Sequence, residues 1–344
     1  MKTRDFTTHN GSKIEFTSVG LGTGPLGELF ETLDEKACIT TVEDAYRLGV
    51  RLFDTSPHYG NGLAEARLGG GLRHAPRDSV FISTKIGRVM NPHGGKGETV
   101  PGVVSPSFAG GFPHAPRFDY SYDGVMRSIE QSLLRLGMDR LDIVLIHDCD
   151  RWTHGDAAPE RFKEAMAGCY VALDKLRAEK VIRAIGFGIN EADTCVKFAR
   201  AGDFDVAMMA GRYSLLVQTG LEEFLPLAQS RNMAVMLAGV FNSGILATGA
   251  TPHAKFDYVD ASPEILDKVR RIEAVCRSHG VTLRQAAVQF PLGHPAVASV
   301  VLGALNPAQV AENVADAEAP IPVALWSDLK AEGLLNPDAP TPQA

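Results

Sequence analysis

The feature that most constrains the fold of this sequence is the alternation of short apolar segments with longer segments of helical character. The short segments are rich in β-branched and other apolar residues, and they lie at positions 17–21, 51–54, 80–84, 141–146, 184–187, 205–209, 234–237 and 298–302. Most intervals between them carry apolar residues at the i, i+3, i+4 spacing of an amphipathic helix, as in 125–136, 162–179 and 266–278. Strands that are each followed by a helix pair in parallel through right-handed crossovers. The pattern therefore predicts an α/β fold of the (β/α)8 TIM-barrel type.

Three segments depart from this alternation. Residues 4–8 and 13–16 flank His9-Asn10-Gly11, which predicts an N-terminal β-hairpin ahead of the barrel. Residues from 87 to about 122 are rich in Gly and Pro and lack periodicity, which predicts a long loop after strand three, on the face where barrel enzymes carry their active sites. We expect a single domain over residues 1–335 and a disordered tail over 336–344.

Composition disfavours several classes of protein. The 344 residues carry a formal net charge of −7, which argues against a nucleic-acid groove. The sequence has no apolar signal region and no run approaching the ~20 apolar residues that span a bilayer. The five cysteines are scattered, which is typical of reduced thiols and not of disulfides or a structural zinc site. We expect a cytoplasmic protein that binds a small molecule, without a metal and without nucleic-acid or membrane partners; its oligomeric state stays open.

Three successive predicted strands end in an ionisable residue. Asp54 ends the second strand and is followed closely by Tyr59, Lys85 ends the third, and His147 ends the fourth. The carboxyl ends of barrel strands meet on one face, so these side chains are expected to converge. There Tyr59 would act as general acid or base, Lys85 would lower its pKa, Asp54 would hold Lys85, and His147 would orient a substrate oxygen. Each residue alone is also explained as a cap or a buried polar group, but the joint arrangement favours a proton-transfer site.

A dinucleotide-binding domain of the Rossmann type is the main alternative fold. Gly22, Gly24 and Gly27 satisfy G-x-G-x-x-G after a strand, and Asp54 ends the next strand. However, a new helix start at Asp34 shows that these glycines do not clearly open a helix. A zinc hydrolase is a weaker alternative, because the histidines lack the spacing of metal ligands.

The segments FDTSPHYGNGLAEARLG, FISTKIG and LDIVLIHD resemble the aldo-keto reductases, and the resemblance extends from about residue 19 to residue 313. It implies that Asp54, Tyr59, Lys85 and His147 form the catalytic tetrad of that family. Further matches are LGTGPLG, KVIRAIGFGIN, RYSLL and SVVLGALNPAQVAENV.

The same resemblance implies a nicotinamide cofactor and the residues that hold it. Asn190 would hold the carboxamide, and Glu312 with Asn313 would close the adenosine loop. The remaining residues implied at the cofactor are Gly22, Thr23, Asp54, Phe241, Ser243, Gly244, Leu246, Gly303 and Gln309.

The sequence departs from the family pattern at four positions around the expected cofactor. Ala210 replaces a Gln that usually holds the nicotinamide, and Ala238 replaces an aromatic stacking residue, so that Phe241 is the nearest aromatic substitute. Gly303 and Gln309 stand where NADP-specific members carry Lys and Arg. A 2′-phosphate would lose charge-assisted hydrogen bonds there, each worth ~1.5–3 kcal/mol. We therefore expect NAD, with NADP as the alternative.

The resemblance is strongest to a bacterial branch that oxidises cyclic hemiacetals to lactones. It implies oxidation of an aldose of the L-fucose or D-arabinose type at its anomeric carbon, or alternatively of pyridoxal to 4-pyridoxolactone. His58 and Trp152 are the residues that we expect to contact substrate. Two more functions stay open, namely a general NADPH-dependent aldehyde or ketone reductase and a non-catalytic cofactor-binding subunit.

Overall fold

The structure is a computed structural model that describes residues 1–29, 31–94 and 108–343. The strands in these ranges are β1 (Thr3–Thr7), β2 (Lys13–Thr17), β3 (Val19–Gly22), β4 (Leu52–Asp54), β5 (Phe81–Ile86), β6 (Arg88–Asn91), β7 (Ala115–Phe118), β8 (Ile143–His147), β9 (Ala184–Ile189), β10 (Val206–Ala210), β11 (Ala234–Ala238), β12 (Lys255–Phe256), β13 (Val259–Asp260) and β14 (Val297–Gly303).

The helices surround these strands. They are α1 (Glu35–Arg47), α2 (Leu63–Leu72), α3 (Tyr122–Leu136), α4 (Arg151–His154), α5 (Ala158–Glu164), α6 (Val171–Ala178), α7 (Ala192–Ala201), α8 (Phe224–Ser230), α9 (Ile245–Thr248), α10 (Pro263–Ser278), α11 (Leu283–Gln289), α12 (Pro307–Glu318) and α13 (Val323–Ala331). Side-chain caps fix several starts: Asp34 accepts a hydrogen bond from the Ala37 amide before α1, and Ser121 accepts one from the Gly124 amide before α3.

Eight strands close into a parallel barrel in the order β3-β4-β5-β8-β9-β10-β11-β14, and β14 pairs back to β3. Each barrel strand overlaps one of the eight predicted segments, so the predicted (β/α)8 barrel is confirmed. The predicted hairpin is also present as the antiparallel pair β1–β2.

The hairpin covers the amino-terminal end of the barrel. Ile14 and Phe16 of β2 are fully buried, and they pack with residues near the starts of barrel strands, such as Leu52 and Ile143. A second core of apolar side chains lies between the barrel and its helices. Because one end of the barrel is closed by the hairpin, the carboxyl ends of the strands are left for a site.

The insertion after β5 is more ordered at its ends than expected. β6 and β7 form an antiparallel ribbon in which Arg88 is paired with Phe118. Residues 88–91 and 115–118 are therefore strands, and the prediction of a loop throughout 87–122 is wrong there. Residues 95–107, in the middle of the predicted loop, lie outside the described residues.

The carboxyl-terminal segment differs from its predicted disorder. The amide of Asn336 donates a hydrogen bond to Gln218 Oε1 (3.0 Å), and Ala339 is fully buried. The hydroxyl of Tyr213 lies 3.5 Å from the carbonyl oxygen of Pro340, to which it donates. The prediction of a disordered tail is wrong for residues 336–343, because backbone groups and a small apolar side chain find partners on the barrel.

Among the residues that the structure describes, no helix has the length and apolar character needed to cross a membrane.

Candidate active site

The four residues predicted for proton transfer come together at the carboxyl end of the barrel. Asp54 and His147 are the last residues of β4 and β8, and Lys85 is in β5. Tyr59 begins the 3₁₀ turn Tyr59–Gly62 that follows β4. The Nζ atom of Lys85 lies 2.5 Å from Asp54 Oδ2 and 4.8 Å from the centroid of the Tyr59 ring. The rings of Tyr59 and His147 lie 6.0 Å apart in an edge-on arrangement.

The Lys85–Asp54 pair is buried, and each of the two side chains makes a further hydrogen bond. Ser83 Oγ donates to Asp54 Oδ1 (2.8 Å), and Lys85 Nζ also donates to the carbonyl oxygen of Thr55 (2.8 Å). Burial lowers the pKa of Lys85, but Asp54 and Tyr59 raise it by more, and the net pKa is above the ordinary value. Lys85 is therefore a fixed ammonium beside Tyr59.

The pKa of Tyr59 depends on burial as well as on Lys85. The Lys85 ammonium lowers this pKa, as predicted, but burial has the larger effect and raises it to about 12. The sequence did not predict the effect of burial. At neutral pH Tyr59 carries its proton, and additional positive charge beside it would be needed to make it a base.

His147 has more partners than the sequence predicted. Its Nδ1 lies 3.1 Å from Ser56 Oγ and 3.4 Å from Nη1 of Arg88, and its Nε2 lies 3.3 Å from Asp148 Oδ1. Arg88, which is buried, and Asp148, which is partly buried, form an ion pair at 2.9 Å. Burial lowers the pKa of His147 well below its ordinary value, and Lys85 and Arg88 lower it further. The imidazole is therefore neutral at neutral pH. Sequence reasoning missed Arg88 and Asp148, although Asp148 directly follows His147.

Asn190, predicted to hold a carboxamide, lies just beyond β9 between two carboxylates. Its Nδ2 donates to Asp148 Oδ1 (3.3 Å) and to Asp150 Oδ2 (3.2 Å), and its backbone amide donates to Asp150 Oδ2 (3.0 Å). Burial raises the pKa of Asp150 to about 6, and the neighbouring Asp148 raises it too. Because Nδ2 is committed to carboxylates, Oδ1 is the atom that can accept a hydrogen bond from a carboxamide NH2 group. This set of donors and acceptors fits a nicotinamide.

The two predicted substrate residues lie in different aromatic groups. His58 packs edge-on against Phe108 (centroids 5.3 Å apart), and Phe108 also lies 6.3 Å from the Tyr59 ring. The Nδ1 atom of His58 is buried and has no hydrogen-bond partner among the described residues. Trp152 instead lies beside Tyr258, at 6.5 Å. Sequence reasoning missed Phe108, since the insertion that carries it has no periodicity.

The residues predicted for the rest of the cofactor fall into three groups, of which the third is the predicted adenosine loop. Gly22 ends β3 and is paired with Asp54 and Gly303 on the two sides, and Thr23 donates from its amide to the Asp54 carbonyl oxygen (2.9 Å). The second group lies in the segment that leads from β11 into α9 and comprises Phe241, Ser243, Gly244 and Leu246.

The two alanines that depart from the family pattern are neighbours. Ala210 and Ala238 are paired at the carboxyl ends of β10 and β11. Small side chains therefore line the place where the family's amide and aromatic ring would lie.

A cation that sequence reasoning missed lies on α11, beside the predicted adenosine loop. Arg284 of α11 lies over the Phe241 ring (5.1 Å from the centroid) and donates to Asn313 Oδ1 (3.0 Å). It is also paired with Asp316 (2.9 Å) and Glu312 (3.7 Å). Its charge is thus matched by two carboxylates.

Gly303 and Gln309 leave no positive charge in the same loop. A Cβ atom at Gly303 would meet Pro25 Cγ at 2.7 Å, and Gln309 Oε1 accepts a hydrogen bond from the Leu305 amide (2.8 Å).

Across the described parts of the chain, no group of three or more His, Cys, Asp or Glu side chains could hold a metal ion.

The chain is similar to known proteins in sequence and in fold. A family model described as the aldo/keto reductase family matches residues 18–331. Over 329 residues, the chain is 41% identical to pyridoxal 4-dehydrogenase from Microbacterium luteolum, covering 94% of this chain and 96% of the relative. With the same coverage, it is 38% identical to D-threo-aldose 1-dehydrogenase from a Pseudomonas species. An aldo-keto reductase structure from Bacillus halodurans superimposes with a TM-score of 0.73 at 22% identity, over 98% of this chain and 97% of that one.

Proposed function

The chain belongs to the aldo/keto reductase family of oxidoreductases, and on this premise we propose that it oxidises a cyclic hemiacetal to a lactone with NAD. The observation that carries the proposal is the convergence of Tyr59, the buried Lys85–Asp54 pair and neutral His147 at one end of the barrel. Such a site can remove one hydroxyl proton from a substrate whose carbon gives up a hydride.

In the proposed reaction, the protein manages the proton and the orientation of the substrate. When bound, an oxidised nicotinamide supplies the hydride acceptor and brings a positive charge. Tyr59 first loses its own proton to solvent, and the Lys85 ammonium favours the tyrosinate form that results. His147 donates a hydrogen bond to the hemiacetal hydroxyl oxygen, and the tyrosinate Oη takes the proton of that hydroxyl as the carbonyl of the lactone forms, which returns Tyr59 to its neutral form. Asp54 keeps Lys85 in place by the buried 2.5 Å contact.

The proposed cofactor is NAD, with NADP as the alternative. Asn190 supports a nicotinamide through its uncommitted Oδ1, and the proposed adenosine loop presents Gly303 and Gln309 in place of cations. The cation that lies nearby, Arg284, is already paired with Asp316 and Glu312. These features favour a ribose hydroxyl over a doubly charged phosphate.

The proposed substrate is an aldose of the L-fucose or D-arabinose type, oxidised at its anomeric carbon. The 38% identity to a D-threo-aldose 1-dehydrogenase supports this class. Pyridoxal is the second candidate, since Phe108 lies beside Tyr59 and His58 and could stack on a pyridine ring. The 41% identity to a pyridoxal 4-dehydrogenase also supports it. Both compounds form cyclic hemiacetals that lose two hydrogen atoms to give a lactone.

A cofactor-reduction screen tests this proposal. Purified protein is mixed with NAD or NADP and with L-fucose, D-arabinose, L-galactose or pyridoxal, and reduced cofactor is followed by absorbance. We expect reduction of NAD in preference to NADP, with one of these compounds, and a product two mass units lighter than the substrate. Reduction of simple aldehydes with NADPH, without any hemiacetal oxidation, would contradict both the direction and the substrate class.

A further inference from the structure

One carboxylate, that of Asp148, touches three groups around the proposed site. Its Oδ2 forms an ion pair with Nη1 of Arg88 (2.9 Å), and its Oδ1 lies 3.3 Å from both His147 Nε2 and Asn190 Nδ2. Asp148 follows β8 in a left-handed conformation (φ 49°), and its amide donates to the carbonyl oxygen of Gly188 (3.0 Å). Left-handed backbone is uncommon for a residue other than glycine, and here it turns the carboxylate back towards His147 and Asn190.

Arg88 reaches this carboxylate from the ribbon inside the insertion. It is 6% exposed, and its guanidinium carbon lies 4.6 Å from the centroid of the Phe118 ring on the paired strand. The backbone of Arg88 is held as well, because its carbonyl oxygen accepts a hydrogen bond from Ser128 Oγ (2.9 Å). A buried guanidinium that is fixed at both ends is suited to orienting its partners.

Two contacts of Nδ1 bear on where the imidazole of His147 carries its proton. The hydroxyl of Ser56, at 3.1 Å, can either donate or accept. The guanidinium of Arg88 has only donors, so across the 3.4 Å separation Nη1 can only donate to Nδ1. Nδ1 is then the acceptor and the proton of the neutral ring lies on Nε2. The Nε2–H group can donate a hydrogen bond either to Asp148 or to a substrate oxygen.

We propose that Arg88 and Asp148 are positioning residues: Arg88 fixes the Nε2–H tautomer of His147, and Asp148 ties that ring to the amide of Asn190. This inference rests on the proposed function of His147 and Asn190. It explains why the guanidinium of Arg88 is buried beside the tetrad, where an apolar residue would cost less to desolvate. It also links the insertion to the reaction, since the ribbon provides Arg88.

Removal of the guanidinium should change the protonation of His147. The ionisable side chains around this ring are Lys85 from β5, Arg88 from β6, Asp148 after β8, and His58 and Tyr59 after β4. Arg88 and Lys85 disfavour a positive imidazole and Asp148 favours it. Without Arg88 the carboxylate of Asp148 is unbalanced, so the pKa of His147 should rise and the Nδ1 position should become available for a proton.

The test compares Arg88→Met with Arg117→Met in protein labelled with ¹⁵N-histidine. Arg117 is the matched control, because it pairs with Asp119 on the same ribbon but is largely exposed. Long-range ¹H–¹⁵N spectra report the tautomer and titration of each imidazole without substrate or cofactor, and a His147→Gln variant assigns the signal. We expect a single Nε2–H tautomer in the unsubstituted protein and in Arg117→Met. In Arg88→Met we expect a mixture of the Nδ1–H and Nε2–H tautomers and a titration that moves to higher pH.

Kinetics provide a second readout that a merely structural role would not change. In Arg88→Met, kcat should fall at least tenfold while KM for the cofactor changes less than threefold, and the acidic limb of the pH profile should move to higher pH. Arg88→Lys keeps a positive charge beside Asp148 and should recover part of kcat, which also covers the case that Arg88→Met does not fold. Identical histidine spectra and kinetics in Arg88→Met, Arg88→Lys and Arg117→Met would overturn the inference. If the unsubstituted protein oxidises no hemiacetal, the proposed function fails, but the histidine spectra still decide the role of Arg88.

Discussion

At the scale of single residues, Tyr59 is subject to two opposing electrostatic effects. Burial raises its pKa to about 12, whereas the Lys85 ammonium, 4.8 Å from the ring centroid, lowers it. A base that starts protonated works better as the pH rises or as positive charge is added nearby. The pKa of Tyr59 therefore predicts that oxidation of the substrate becomes faster with increasing pH.

Replacing Tyr59 by Phe tests this role directly. The substitution keeps the ring beside Lys85 and His147 but removes the hydroxyl, so kcat for oxidation should fall by ~10²–10⁴-fold. Binding of the cofactor, measured by quenching of tryptophan fluorescence, should change little. The increase of turnover with pH should also disappear.

Tyr46→Phe is the control for that substitution, because the Tyr46 hydroxyl contacts Ser79 on the outside of the barrel (3.0 Å). It should leave turnover unchanged. Turnover by Tyr59→Phe within threefold of the unsubstituted protein would mean that another group moves the proton.

The sequence predicted which residues meet in the tetrad, but it did not predict their electrostatics. Asp54, Lys85 and His147 could be placed because parallel strands bring their carboxyl ends to one face of a barrel. The effect of Lys85 on the pKa of Tyr59 was predicted, but the larger and opposite effect of burial was not, since sequence shows a neighbouring charge but not the extent of burial. Arg88 and Phe108 were missed, because both are in an insertion whose sequence has no period from which contacts could be inferred.

At the scale of elements, the barrel strands were predictable and the insertion was not. A strand covered on both faces is a short apolar run, and the eight runs all overlap barrel strands. The ribbon β6–β7 joins residues that are separated by more than twenty positions, and such pairings leave no local pattern. The tail after α13 likewise contains mostly polar residues and prolines, so its packing depends on partners elsewhere in the chain.

Close packing of α2 against α3 gives a prediction at this scale. A Cβ atom on Gly69 would lie 2.0 Å from the carbonyl oxygen of Leu136, which is backbone and cannot move without moving the end of α3. Gly69→Ala should therefore lower the free energy of unfolding by ~1–3 kcal/mol. The measurement is the shift of the urea unfolding midpoint followed by circular dichroism.

The adjacent Gly70→Ala is the matched control for this helix. Its Cβ would meet only the Ile39 side chain, with Cδ1 at 2.8 Å, and this is the end of a flexible side chain. Alanine also favours a helix over glycine by ~1 kcal/mol, so Gly70→Ala should be neutral or stabilising. Equal midpoints for the two variants would show that α2 and α3 are not closely packed at Gly69.

At the scale of the whole molecule, the two ends of the barrel have different roles. The hairpin β1–β2 closes the amino-terminal end with Ile14 and Phe16, while the proposed site occupies the other end. The amino-terminal end therefore contributes to stability and the carboxyl end carries the proposed active site, as is usual for barrels of this type. Substitutions at one end should have little effect on the property that the other end provides.

The carboxyl-terminal tail gives a prediction about how the molecule is held together. Residues 336–341 connect the segment after β10 with the segment before β14, through Asn336 to Gln218, Pro340 to Tyr213 and Thr341 to Gly293. Removal of residues 336–344 would expose the surface that Ala339 covers and would leave the Gln218 and Tyr213 side chains without these partners. We expect a loss of ~1–3 kcal/mol in the free energy of unfolding, measured from the urea midpoint, because each lost hydrogen bond costs ~1 kcal/mol.

Two further variants test whether the contacts of the tail with the barrel, and not only the length of the chain, change the urea midpoint. Removing only residues 343–344 leaves all three contacts in place and should not change the midpoint. Gly293→Ala keeps the full chain but puts a Cβ atom 2.4 Å from the backbone of Thr341, so it should displace the tail and reproduce part of the loss. An unchanged midpoint after removal of residues 336–344 would mean that these contacts add nothing to stability, and the tail could then be treated as a free extension. If the midpoint falls in both the long truncation and Gly293→Ala, the tail stabilises the barrel by packing across Gly293.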